Sequence, residues 1–249
     1  MKRLLWFLMV GLVAVGLLLA GCGGNGGDTG AIRVATDATW PPFEYVDTET
    51  SEIVGFDIDL FDAIAERAGL EVEYVNVAWD PLLAGMAQGT YDAAISSITI
   101  REDRLEQMNF SIPYYVAGQI IVTLTSNTDI TGPETLSGKS VGVQSGTTGD
   151  YEAQDIPGVT VVGYDEIGLA FVALMTDQID AVICDTPVAY GYVDKYDILM
   201  TVGEVLTTEE YGIAVPKGKE DLLEQINDAL QELLDEGIIE QLAQEWLVE

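Results

Sequence analysis

Ser96-Ser97-Ile98-Thr99-Ile100-Arg101-Glu102-Asp103-Arg104 puts three hydroxyls and two guanidiniums at the end of the apolar run Ala93-Ala94-Ile95. Positive charge is scarce elsewhere, with Lys plus Arg totalling 10 against 42 Asp plus Glu. An arginine flanked by hydroxyls and free backbone N–H groups suits a small carboxylate, because the planar guanidinium offers two parallel donors. The spacing equally suits a wet surface, where Arg101 and Arg104, one helical turn apart, pair with Glu102, Asp103 or Glu106. The nonapeptide alone leaves both open. A second segment repeats its context: Tyr91-Asp92-Ala93-Ala94-Ile95-Ser96-Ser97 matches Ile179-Asp180-Ala181-Val182-Ile183-Cys184-Asp185. Each copy follows an apolar helical pattern and a short polar turn, so Ser97 and Asp185 both fall at the carboxyl end of a buried strand. Asp-Ala is also ordinary turn-to-strand punctuation. That explains the repeat but not the acid directly after an apolar strand, where an unpaired charge is costly.

The elements that must carry these groups alternate strand and helix, twice over. Ile32–Thr36, Val72–Val77 and Ala93–Ile98 read as strands, separated by helical periodicity in Ile58, Phe61, Ile64, Ala65 and Ala68 and in Leu82, Leu83, Met86 and Ala87. After Pro113 the pattern restarts with strands at Ile120–Leu124, Val141–Val143, Val159–Val162 and Ala181–Cys184 and a helix over Leu169–Met175. A long amphipathic helix from Leu222 to Leu234, a break at Gly237 and a last turn with Leu242 and Trp246 close the chain. Ligands of open α/β sheets bind outside the carboxyl ends of the strands. Two facing lobes would therefore set hydroxyls and an arginine against a lone carboxylate. The first strand of one lobe runs into Asp37-Ala38-Thr39-Trp40-Pro41-Pro42-Phe43-Glu44, a rigid loop with acids and aromatics. Its counterpart runs into Gln144-Ser145-Gly146-Thr147-Thr148, where Thr147 or Thr148 can cap a helix whose free N–H groups favour an anion. No Gly-rich phosphate cradle is present.

Composition excludes much. The chain has no histidine, which removes Ser-His-Asp and Cys-His nucleophiles and histidine metal sites. No cofactor or metal is expected. Lys2 and Arg3 precede an apolar run from Leu4 to Ala20 that ends in Leu19-Ala20-Gly21-Cys22, the pattern of an export signal over residues 1–21. The small residues before Cys22 resemble the lipobox of prokaryotic lipoproteins, which implies lipid on Cys22 and anchorage on the outer face of the cytoplasmic membrane. An uncleaved anchor would leave the domain on the same side. With Cys22 modified, Cys184 is the only thiol and no internal disulfide can form. Residues 22–30 form a Gly-rich tether. Removing residues 1–21 takes two of the 10 cations and none of the 42 acids, so 8 − 42 leaves −34. Such a surface repels nucleic acid and anionic lipid. The acids are dispersed, as in proteins from high-salt habitats, rather than gathered in a tail.

Gly55-Phe56-Asp57-Ile58-Asp59-Leu60-Phe61-Asp62-Ala63-Ile64-Ala65-Glu66-Arg67-Ala68 resembles the signature of the amino-acid class of periplasmic solute-binding proteins that serve ABC importers. Physically it is a helix start: Asp57 can cap, and Asp59 sits in the positive first turn. The resemblance runs from about Ile32 to Trp246. It implies a two-lobed periplasmic-binding-protein-like α/β fold, with lobe 1 over residues 31–116 plus 212–249 and lobe 2 over 120–207. Hinge crossover strands are expected near Tyr115–Val122 and Leu206–Ala214. Arg104 resembles the arginine that clamps the ligand α-carboxylate, helped by Ser97, Thr99 and the Thr147-Thr148 helix start. Asp185 resembles the carboxylate that receives the α-ammonium. Trp40 and Trp79 lie where family members carry large residues against the ligand side chain, and Asp37, Ser96 and Gln144 at its polar end. Glu44, Arg101 and Asp103 match no such role and are expected on the surface.

The resemblance therefore implies a monomeric, non-enzymatic receptor that delivers a free amino acid to an ABC permease, with no nucleic-acid partner. Two tryptophan faces, the Asp37 carboxylate and a neutral acceptor on Gln144 favour arginine, then lysine, over glutamine or another neutral residue. The same two-lobed fold resembles cyclohexadienyl dehydratases, in which Asp37 or Glu44 would serve as general acid. A detached sensory module is the third reading, and it would require a signalling partner.

Overall fold

The computed structural model describes residues 30–247. The expected export segment, Cys22 and most of the tether lie outside the described residues. The chain runs β1 (Ile32–Thr36), β2 (Thr39–Trp40), β3 (Glu44–Val46), β4 (Ile53–Val54), α1 (Phe56–Ala68), β5 (Val72–Asn76), α2 (Trp79–Ala87), β6 (Ala93–Ala94), α3 (Glu102–Gln107), β7 (Met108–Phe110) and β8 (Tyr115–Ala117). It continues through β9 (Gln119–Leu124), a 3-10 turn (Pro133–Thr135), β10 (Ser140–Gln144), α4 (Thr148–Asp155), β11 (Thr160–Tyr164), α5 (Ile167–Met175), β12 (Ala181–Asp185), α6 (Thr186–Lys195) and β13 (Leu199–Val202). It ends with β14 (Glu209–Tyr211), β15 (Ala214–Pro216), α7 (Glu220–Asp235) and α8 (Ile238–Trp246).

Two five-stranded sheets form, in the orders β5-β1-β6-β15-β7 and β11-β10-β12-β9-β13. In each, the first three strands are parallel and the fourth is antiparallel to its neighbours. β6 and β12 thus occupy equivalent places, as the internal sequence match implies. Near-continuous apolar runs suit such strands because helices cover both sheet faces. β8 and β14 pair antiparallel in a separate ribbon, with Tyr115 opposite Tyr211 and Ala117 opposite Glu209. Both chain crossings between the sheets pass through this ribbon. Gly118 follows it, and a Cβ there would lie 2.2 Å from the carbonyl oxygen of Thr207. Phe43, Phe56, Tyr115 and Tyr211 interlock at this junction, with centroids 5.4–6.0 Å apart. Such contacts add roughly 0.5–1.5 kcal/mol each beyond their buried area.

Three expectations change. The predicted strand over Ala93–Ile98 pairs only at Ala93–Ala94, and Ser97 turns to φ 48°. The reason is Asp57, whose Oδ2 accepts the Ser97 N–H at 2.8 Å and draws the chain out of the sheet. Asp57 accordingly does not cap α1; Gly55 precedes the helix with no side-chain cap. The segment after β1, expected as a rigid loop, folds into the small sheet β2-β3-β4.

Candidate functional site

The carboxyl ends of β1, β6, β10 and β12 converge on one small pocket between the lobes. It is lined by Asp37, Trp40, Trp79, Ser96, Ser97, Thr99, Arg104, Gln144, Thr147, Thr148 and Asp185, together with Glu44. Every residue expected at a ligand site thus comes to the same cavity. Arg101 and Asp103 pair with each other at 2.9 Å on the surface. Glu44, expected on the surface, is fully buried. Its signal was the one used for Asp185: an acid set directly against apolar and aromatic neighbours, here Phe43-Glu44-Tyr45-Val46.

Arg104 lies on α3, 5% exposed. Its Nη1 donates to the Thr99 carbonyl at 2.9 Å, and its guanidinium stacks 5.2 Å above the Trp79 ring. Among the described residues no carboxylate lies within ion-pair distance of it. Burial, and then the nearby Arg101, lower its pKa. A buried cation in this state carries a desolvation cost that a bound anion would offset. Beside it, Thr147 caps α4, and the pocket meets the positive end of that helix.

Across the cleft, Asp185 ends β12 at 4% exposure. Its Oδ1 accepts from the Gln119 amide at 2.9 Å. Burial, reinforced by the Glu209 charge, pushes its carboxyl up to about 7. A nearby cation would lower it again and favour the ionised form.

The far end of the pocket is also acidic. Asp37 accepts from the Thr39 hydroxyl at 2.9 Å and from the Gln144 amide at 3.0 Å, and burial raises its pKa despite both bonds. Gln144 is less free than expected: its carbonyl already accepts the Ile167 N–H at 3.1 Å, leaving one lone pair. Glu44 accepts the Ser96 hydroxyl on Oε1 at 2.9 Å, and its carboxyl also shares a hydrogen bond with that of Asp57. Burial, and then Asp57, hold the Glu44 carboxyl well above the ordinary carboxylate range. Asp57 lies behind it, pushed up to about 7 chiefly by burial. Trp40 Nε1 and Ser97 Oγ are buried without partners. One face of Trp79 is taken by Arg104, so the two tryptophans do not offer the symmetric pair of faces expected from sequence.

The lobes meet directly as well. Trp79 Nε1 donates to the Gly146 carbonyl at 3.0 Å, Gln144 reaches Asp37, and Arg101 stacks on Tyr151 at 4.5 Å.

Two sheets of the same topology, hinged by a two-stranded ribbon over a polar cleft, define a two-lobed solute receptor of the periplasmic-binding-protein fold. The chain belongs to the bacterial extracellular solute-binding proteins, family 3, whose profile matches residues 32–249. It is 32% identical over 224 residues to the L-cystine-binding protein TcyJ of Escherichia coli K12, covering 88% of this chain and 83% of that one. An ancestral arginine-binding protein solved bound to arginine is 40% identical, with a TM-score of 0.83 over 87% of this chain and 98% of that one. An ancestral arginine-binding protein has also been solved bound to glutamine, at 41% identity, TM-score 0.83 and coverage of 87% and 97%. The ancestral amino acid-binding protein AncCDT-1, a precursor of cyclohexadienyl dehydratase, is 32% identical, with a TM-score of 0.82 over 88% of this chain and 96% of that one. Among the described residues no helix is long and apolar enough to cross a membrane.

Proposed function

We propose that this receptor captures a basic amino acid, arginine before lysine, between lobe 1 (residues 31–116 plus 212–249) and lobe 2 (residues 120–207), and delivers it as a monomer to an ABC permease. One observation carries the assignment: the lining holds three carboxylates, Asp37, Glu44 and Asp185, and a single cation, Arg104. When Arg104 takes the α-carboxylate and Asp185 the α-ammonium, two acids remain at the side-chain end. A cationic side chain would satisfy them and restore their ionisation, whereas an acidic one would add to the repulsion. Ser97 and the Thr147-Thr148 helix start support the carboxylate, Ser96 and Gln144 hold the two acids in place, and Trp40 supplies an aromatic wall. The binding proteins among the relatives support an amino-acid ligand, and the glutamine-bound ancestral structure keeps glutamine as the runner-up. Thermal shift in high salt with L-arginine, L-lysine, L-glutamine, L-histidine and L-cystine tests this. Stabilisation is expected with arginine, and stabilisation by glutamine or cystine alone would overturn the basic assignment.

Export through residues 1–21, with lipid on Cys22, would hold the receptor at the outer face of the cytoplasmic membrane. A dehydratase reading gains one observation, the buried and readily protonated Glu44, which suits a general acid. Incubation with prephenate or arogenate tests it, and product formation would replace capture with catalysis.

A further inference from the structure

Outside the pocket lining, Glu209 is a buried carboxylate on the ribbon strand β14, 7% exposed. Its Oε2 accepts the Thr99 hydroxyl and its Oε1 the Thr207 hydroxyl, each at 2.8 Å. Thr207 Oγ1 in turn accepts the backbone N–H of Gln119 at 2.9 Å. The Gln119 amide then donates to Thr148 at 3.0 Å and to Asp185 at 2.9 Å. A chain of hydrogen bonds, joined through the backbone and side chain of Gln119, therefore runs from Thr99 on one wall, across both crossings of the hinge, to Thr148 and Asp185 on the other. The backbone fixes its first link, because Thr99 bridges Tyr211 and the Ile100 N–H bonds the Glu210 carbonyl at 2.8 Å.

We propose that Glu209 is a positioning residue that sets the spacing of the two pocket walls and turns the Thr99 hydroxyl into an acceptor, so tuning affinity for the ligand α-ammonium. This rests on reading the pocket as an amino-acid site. A hydroxyl has one proton, and once Glu209 takes it Thr99 can face the pocket only with lone pairs. Those suit an N–H donor and disfavour a carboxylate, which reverses the supporting role expected for Thr99 beside Arg104. Glu209 also lends its charge to the neighbourhood of Asp185. The groups facing Asp185 are Glu209 and Tyr211 from β14, Gln119 from β9 and Cys184 on its own strand, and no cation among the described residues pairs with it.

Glu209→Gln keeps the volume but forces an amide donor against one threonine and removes the charge. Glu209→Asp keeps the charge but is too short to span both threonines. Calorimetry with L-arginine and L-glutamine at pH 8 is compared for wild type, both variants, Thr99→Val and the Thr99→Val/Glu209→Gln double variant. Carbon-13 NMR follows the Asp185 carboxyl in the ligand-free protein. Both Glu209 variants should bind roughly ten-fold more weakly, the size of one charge-assisted hydrogen bond. The double variant should bind no more weakly than the worse single one. The Asp185 titration midpoint should fall in Glu209→Gln and stay in Glu209→Asp. A residue that merely glued the hinge would lower melting temperature and give additive losses in binding, and that result overturns the proposal. A wild type that binds neither amino acid refutes the amino-acid reading, and the Asp185 midpoint then decides the network alone, an unmoved value overturning it.

Discussion

At the scale of single residues, the site is a set of charges placed where water cannot compensate them. Arg104 and Asp185 are each about 95% buried, lie on opposite walls and have no ionic partner of opposite sign among the described residues. Truncating one partner of a buried charge pair costs about 2–5 kcal/mol, roughly 30- to 4,000-fold in affinity. Arg104→Ala and Asp185→Ala should each weaken ligand binding by this much in calorimetry, and a near-neutral Arg104→Ala would remove it from the site. Burial also makes Asp185 a stability liability. Its carboxyl is held at about 7, against ~3.9 in an unfolded chain. Between those values the folded state binds more protons, so the contribution of Asp185 to stability is present in acid and lost as pH rises through 7. Asp185→Asn should therefore raise the melting temperature of the ligand-free protein at pH 8, have little effect near pH 4, and weaken binding no more than Asp185→Ala does. Scanning calorimetry at the two pH values checks this. Asp57, also held at about 7, acts in the same direction and keeps some of the slope in the variant.

Among the elements, the ribbon of β8 and β14 matters most, because both chain crossings pass through it and both walls of the pocket hang from it. Gly118 marks its closest approach. An added Cβ would meet the Thr207 carbonyl at 2.2 Å, and backbone cannot yield there as a flexible side chain could. Gly118→Ala should destabilise the fold by about 1–3 kcal/mol and weaken binding by splaying the crossings, read as a lowered melting temperature and a raised Kd. The long elements were legible in sequence. β1, β10, β12 and α7 carry apolar runs or helical spacing strong enough to reveal themselves, and turn residues bound them. β2, β3 and β4 are two or three residues long and have no period to read. α6 was missed because Thr186-Pro187 reads as a stop, although proline at the first turn is compatible with a helix start. The pocket was legible wherever a charge sat at the end of an apolar strand, as at Asp185 and Asp37. Glu44 carried the same local signal, in Phe43-Glu44-Tyr45-Val46, but not at the end of a long apolar strand, and Glu209 escaped because Thr99, which it holds, lies far along the chain. The cross-lobe stacking of Arg101 on Tyr151 was hidden for the same reason.

The whole molecule is dominated by its charge, −32 for the full chain. If Cys22 carries a lipid, Cys22→Ala should move the protein from membrane to soluble fraction or leave the precursor unprocessed, as fractionation and immunoblotting would show. The acids are spread over the surface, and repulsion among them opposes the compact state until salt screens it. At 0.1 M salt the screening length is about 10 Å, and at 1 M about 3 Å, shorter than most spacings between neighbouring surface charges. Melting temperature should therefore climb with sodium chloride across this range. The same field acts on ligands with the opposite sense. A negative surface around a cleft with three lining carboxylates attracts a cationic solute and accelerates its capture, and screening removes that advantage. Trp40 and Trp79 line the pocket, so their fluorescence reports occupancy in stopped flow. The association rate for L-arginine should fall as salt rises while the protein itself grows more stable, and the rate for neutral L-glutamine should hardly change. Stability and capture would then respond to salt in opposite directions from one cause. An L-arginine association rate indifferent to salt, in a protein that binds it, would mean that the surface charge serves the fold and takes no part in gathering the ligand.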